Sequence, residues 1–166
     1  MQKLLALFVV VLGFTAVSFG QVTATATATA TASATILNAL TITKNVDMNF
    51  GNIFTSAAGG SVILTPAGGL TATGVTIPTI GGTVAAAEFT VTGTPGYAFT
   101  FTVPTTVTTV TSGSDNMTVD QFTHNASGTM VASQVIKVGA RLNVGASQAS
   151  GVYTSATPFT VTVNYN

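Results

Sequence analysis

The sequence contains no cysteine and no tryptophan, a single histidine, and very little charge. Four Lys/Arg and four Asp/Glu make up 5% of its 166 residues, against about 25% in an ordinary globular domain. Each absence removes a class of function. Without cysteine there are no disulfide staples, thiolate metal sites, thiol nucleophiles or lipidated N-terminal cysteines. One histidine cannot build a multi-histidine metal centre. A formal net charge of +0 with no basic cluster leaves no electrostatic footprint for nucleic acid. Leu, Glu and Lys are scarce after residue 20, which argues against a helical bundle. What stands in place of charge is threonine, 33 residues of it, with 17 Gly and abundant Ala and Val. Thr and Val favour pleated, half-buried surfaces, and Gly favours turns.

Met1–Gly20 reads as a Sec-type signal peptide. Lys3 supplies a positive start, Leu4–Val17 an apolar stretch, and Ser18-Phe19-Gly20 small residues at the −3 and −1 positions before Gln21. The apolar stretch is short and ends too abruptly for a membrane span. The expectation is export of residues 21–166 as a secreted protein, found at the cell surface or in an extracellular filament. That product carries Lys44, Lys137 and Arg141 against Asp47, Glu88, Asp115 and Asp120. Its length suits one domain burying roughly 70% of its unfolded surface.

Period-two alternation runs through the remainder, the mark of half-buried strands. Val46, Met48 and Phe50 share one face; Phe89 and Val91 another; Tyr97, Phe99, Phe101 and Val103 a third. Ile136, Val138, Ala140, Leu142 and Val144 oppose Lys137, Gly139, Arg141 and Asn143. Phe159, Val161, Val163 and Tyr165 oppose Thr160, Thr162 and Asn164. Between these runs lie Gly-, Pro- and Asn-containing clusters such as Pro66-Ala67-Gly68-Gly69, Gly81-Gly82 and Ser112-Gly113-Ser114-Asp115. About nine short strands at this spacing predict an all-β fold, an immunoglobulin-like antiparallel β-sandwich.

The most informative segment is Gln21–Thr35, QVTATATATATASAT. Val22, Ala24, Ala26, Ala28, Ala30, Ala32 and Ala34 fall on one face, and the parity continues into Ile36, Leu40 and Ile42. As a strand it would reach about 50 Å, far beyond the usual five or six residues of a strand in a compact sheet. It is either a low-complexity linker, an overlong first strand, or a strand that pairs with another subunit. Ala/Thr alternation is poor linker chemistry, since flexible linkers use Gly and Ser and stiff ones Pro. In the intersubunit reading the main chain enters a ladder while methyl groups fill a narrow groove, each adding only about 0.8 kcal/mol. Ala in place of Ile or Val also lowers the aggregation hazard of the free segment.

At the other end, Gly151, Tyr153, Phe159, Val161, Val163 and Tyr165 keep one parity. An alternating N-terminal extension after a signal peptide, an incomplete sandwich, and a last strand with an upstream Gly and a penultimate Tyr resemble chaperone–usher pilins. The stretches ATILNALTITKNVDMNFGNI (34–53) and VGARLNVGASQASGVYT…FTVTVNYN (138–166) also resemble an uncharacterised family of secreted bacterial β-sandwich domains, similar in architecture to fimbrial and spore-coat-U-type domains. The resemblance implies donor-strand exchange. Residues 21–35 of one subunit, with Val22 and Ala24 to Ala34 facing inward, complete the incomplete sandwich (36–166) of the next along an acceptor groove at Gly151, Phe159, Val161, Val163 and Tyr165. It further implies a homo-polymer and, as partners in export, a periplasmic chaperone and an outer-membrane usher. Two features depart from the pilin pattern: the Gly151–Tyr165 spacing is longer, and the donor segment lacks bulky side chains.

Catalytic chemistry is sparse. His124 lies in a polar, turn-like stretch with no second ligand or nucleophile nearby, and reads as a solvated loop residue. Asp115, Asn116 and Asp120 offer oxygens to calcium, but their spacing matches no EF-hand loop; a turn and a surface carboxylate account for them. Asp47 and Glu88 take outward strand positions, solvated or paired with cations. The Gly clusters lack the Lys-Ser/Thr and helix of a phosphate cradle. No cofactor, metal or small-molecule substrate is indicated, and the expectation is a protein that is not an enzyme. The leading reading is a structural subunit of a pilus-like filament. The alternative is a monomeric cell-surface or carbohydrate-binding adhesin domain, and a third is a small outer-membrane barrel, which the lack of Trp and of lumen charges disfavours.

Overall fold

The computed structural model describes residues 24–79 and 82–166. The signal-peptide stretch, Val22 and the Gly81 position of one expected turn lie outside the described residues. Residues 24–39 form no strand, and each is exposed. Ile36–Asn166 is one compact unit.

Within it the alternating runs become eleven strands, and no helix occurs among the described residues. They are β1 (Thr41–Val46), β2 (Asn49–Phe50), β3 (Gly60–Leu64), β4 (Leu70–Thr73), β5 (Val84–Ala85), β6 (Ala87–Thr92), β7 (Phe99–Thr102), β8 (Thr108–Ser112), β9 (Asp115–His124), β10 (Ser133–Val144) and β11 (Thr162–Tyr165). All named pairings are antiparallel. The large sheet runs β1-β6-β10-β3-β4, with β9 also on β10 and β8 on β9. Two small sheets, β11-β7 and β2-β5, complete a curled β-sandwich.

The organising strand is β10. Its first half, Ser133–Val138, pairs with β6, and its second half, Ala140–Val144, pairs with β3. Along the opposite edge, Val138–Asn143 pairs with β9. The change of neighbour falls at Gly139, where the main chain of the β3–β4 turn presses against the strand. A β-carbon there would lie 2.7 Å from the Thr65 carbonyl carbon and 2.8 Å from the Pro66 nitrogen. On β9 the ladder skips a residue opposite this point, and Gln121 takes φ 47°. Such a bulge bends the strand and increases its twist.

The alternation places most of the core as expected, although Tyr97, read onto the same face as Phe99 and Phe101, is exposed. Ile136, Val138, Ala140, Leu142 and Val144 of β10 are buried, as are Phe89 and Val91 of β6 and Phe99 and Phe101 of β7. Phe89 and Phe101 meet at 6.2 Å between centroids, so β7 packs over the β6–β10 layer. Val46 departs from its expected inward face: the register shifts between Lys44 and Val46, and the bulge leaves the valine exposed.

Candidate functional site: an open cleft between two unpaired strand edges

Among the described residues the last strand is held from one side only. Asn166 N–H donates to Ala98 O at 3.1 Å, and Thr162 to Tyr165 pair with Thr102 to Phe99. In this register the even-numbered residues bond to β7, which turns the N–H and C=O of Val161, Val163 and Tyr165 toward the other edge. The ladder ends at Thr162 for a chemical reason. The next bonded pair would set Thr160 opposite Pro104, which has no N–H to give. Among the described residues β1 likewise pairs only with β6.

The two edges face each other across one cleft, and the chain just before β1 meets the end of β11. The Tyr165 hydroxyl accepts a hydrogen bond from Thr94 N–H at 2.6 Å and donates to Asn38 O at 3.1 Å. Gly93 makes room for this closure: a β-carbon there would lie 2.6 Å from Tyr165 Oη and 2.7 Å from Leu40 Cδ2. From that point β1 runs away and β11 approaches, so the edges are antiparallel to each other. At the far end they part into a cleft of about 300 Å³ lined by Ile42, Lys44, Phe89, Phe159, Thr160 and Val161. The Phe159 ring lies 6.5 Å from Phe89 and 4.9 Å from Phe122 between centroids, joining the cleft wall to the core. Phe159, Val161, Val163 and Tyr165 remain only half-buried although they pack against the core. On the outer face, Thr41 and Thr43 of β1, with Thr160, Thr162 and Asn164 beside them on the C-terminal stretch, are exposed.

Four of the five expected acceptor residues, Phe159, Val161, Val163 and Tyr165, therefore come together along one edge. Gly151 does not join them. It lies in an exposed bend beside Ser112 at the tip of the β8–β9 hairpin. The Thr154–Thr111 bridge, with main-chain bonds of 2.9 and 3.1 Å, ties that part of the chain to β8 instead, and Pro158 intervenes before β11. The opposite wall of Ile42, Lys44 and Phe89 escaped the sequence reading, because alternation shows which residues face inward but not which edges stand side by side. Of the expected donor residues, Ala24, Ala26, Ala28, Ala30, Ala32 and Ala34 are exposed and outside any ladder. A second, threonine-rich cleft of about 700 Å³ lies between the 102–109 stretch and residues 156–162.

Each cation among the described residues pairs locally with a carboxylate. Lys44 Nζ reaches Asp47 at 2.7 Å and Lys137 reaches Glu88 at 3.5 Å, as the outward parity of both carboxylates implied. Arg141 grips Asp120 with two bonds of 2.9 Å across the β9–β10 ladder. His124 is the last residue of β9 rather than a loop residue; its Nδ1 accepts the Ala126 N–H at 3.1 Å and its ring rests 5.2 Å from Phe101. Among the described residues no group of three His, Asp or Glu is placed to hold a metal ion.

Hydrogen bonding from Arg141 holds the Asp120 carboxyl below its ordinary value, with help from Asn143 and against the cost of partial burial. A carboxyl depressed in the folded state stabilises the fold above its unfolded pKa, and that stability is lost as pH falls through the folded value. Asp120→Asn should therefore shrink the drop in melting temperature between about pH 6 and about pH 3. An unchanged drop would show that the pair contributes nothing to acid sensitivity.

No characterised protein and no solved structure matches the chain. A family model does, over residues 40–165, a span that begins at Leu40 beneath the Tyr165 closure and ends at Tyr165 itself. Both walls of the cleft lie inside that span, and the Ala-Thr tract lies outside it. The chain belongs to this family, described as a domain of unknown function (DUF4402).

Proposed function

We propose that the protein is an exported structural subunit that polymerises by strand exchange, the Ala-Thr tract of one copy entering the β1–β11 cleft of the next. The observation that carries this reading is the pair of unpaired edges flanking half-buried apolar side chains. Such an edge is a standing invitation to another strand. The tract fits it in three respects. Its methyl face suits a narrow cleft over Phe89 and Phe159. Its hydroxyl face continues the exposed threonines of β1 and of the segment leading into β11. No Gly or Pro occurs between residues 21 and 50, so the two strongest turn formers are missing from the stretch that would fold the tract back beside its own β1.

In this reading residues 1–20 direct export, and the resemblance to pilins extends to assembly at the cell surface, with a periplasmic chaperone and usher as candidate helpers. The test is removal of residues 21–35. Full-length protein freed of its signal should form filaments in negative stain and elute as oligomers, while the truncated chain stays a folded monomer. Filaments from the truncated chain, or a full-length protein that is monomeric at all concentrations, would overturn the proposal. The second outcome, joined to measurable glycan affinity, would favour the adhesin reading.

A further inference from the structure

We infer that the strand joining two copies has no unique register, so that the joint between subunits is adjustable in length. The inference rests on the strand-exchange reading and concerns how the cleft reads its occupant. A donated strand is usually fixed by a large side chain that fits one pocket. Here the six inward positions from Ala24 to Ala34 are chemically identical, and only Val22 and Ser33 interrupt the repeat. Moving the tract by two residues keeps every methyl inward, every hydroxyl outward and every main-chain group opposite a ladder partner. A one-residue slip is forbidden, because it turns threonine hydroxyls onto Phe89 and Phe159.

Length makes the choice real. The cleft is lined by Phe159 to Val161, and the strand edge continues to Val163 before the Tyr165 hydroxyl closes it against Asn38 and Thr94. Those five residues span ~17 Å, whereas Gln21–Thr35 spans ~50 Å when extended. The tract is thus about three times longer than its seat, and each permitted slip changes the spacing between subunits by ~6.8 Å. The cleft walls offer little to break the degeneracy: Ile42, Val161, Phe89 and Phe159 are apolar, Thr160 meets the same threonine face in every permitted register, and the Lys44 ammonium is engaged by Asp47 at 2.7 Å.

The absence of cysteine gives a clean test. Full-length chains carrying Thr162→Cys on the acceptor edge would be combined with Thr25→Cys, Thr27→Cys or Thr29→Cys on the tract, assembled, and oxidised. Degenerate registers give intersubunit disulfides at all three donor positions with yields within about threefold of one another, the spread of states that differ by thermal energy. A single position exceeding the others by about tenfold means a fixed register and overturns the inference while upholding strand exchange. Filaments with no cross-link at any position overturn both. As an independent arm, deleting Thr27 and Ala28 together should leave filament yield unchanged; a loss of filaments means that one register is required.

Discussion

A peptide of residues 21–35, added in excess to a chain that begins at Ile36, is expected to raise its melting temperature by about 10 °C and to leave it monomeric. The magnitude follows from linkage: a ligand at 100 times its dissociation constant stabilises the state it binds by about 2.7 kcal/mol. A domain of roughly 130 residues unfolds with an entropy of about 2.1 cal/mol/K per residue, so that free energy moves the midpoint by about 10 °C. The structural basis is the one-sided pairing of β11. Val161 and Val163 turn main-chain groups toward an edge that no described strand occupies, and their side chains stay half-buried. A strand laid there adds ladder bonds and covers Phe159 at the same time. A peptide of the same composition with its alternation scrambled should produce no shift, because half of its threonines would face the phenyl rings. Equal shifts from both peptides, or none from either, would refute the cleft as the acceptor.

Gly139→Val is expected to cost about 3 kcal/mol or more and to lower the melting temperature by roughly 10 °C. Two conditions set this apart from ordinary overpacking. The obstacle is the main chain of Thr65 and Pro66 rather than a flexible side chain, and β10 is held on both edges at this point, by β9 and by β6 and β3. The strand cannot shift without breaking a ladder. The contrasting position is Gly113, at the β8–β9 turn with φ 60° and no atom within 4 Å of a β-carbon. Gly113→Asn should change stability by less than about 0.5 kcal/mol, since asparagine tolerates the left-handed region. Chemical denaturation of both variants measures the difference, and equal losses would mean that the close approach at Gly139 is not a constraint.

Much of this architecture was legible in the residues. The inward faces of β6, β7 and β10 follow directly from period-two alternation, because a strand with one buried face can present only one parity to the core. Alternation is a local signal, however, and the misjudged positions are those where a distant contact decides. Val46 turns outward because a bulge resets the parity after Lys44. Gly151 shares the parity of Tyr165 but lies apart from it, since the bridge from Thr154 to Thr111 and the proline at 158 interrupt the run. His124 looked like a loop residue because the polar residues around it mask the end of β9. The C-terminal wall of the cleft could be read from Phe159 to Tyr165. The wall of Ile42, Lys44 and Phe89 could not, because it depends on which strand lies beside the last one, and strand order carries no mark in local sequence.

The pairing of charges has a consequence for the surroundings in which such a molecule works. Lys44, Lys137 and Arg141, the cations among the described residues, each lie within 4 Å of a carboxylate. Their fields largely cancel within a distance shorter than the ~8 Å over which physiological salt screens a charge. Within these pairs added ions have little left to screen, and Asp115 is the carboxylate side chain that no cation joins among the described residues. A surface of this kind meets its neighbours at a rate set mainly by diffusion and shape, with little dependence on ionic strength.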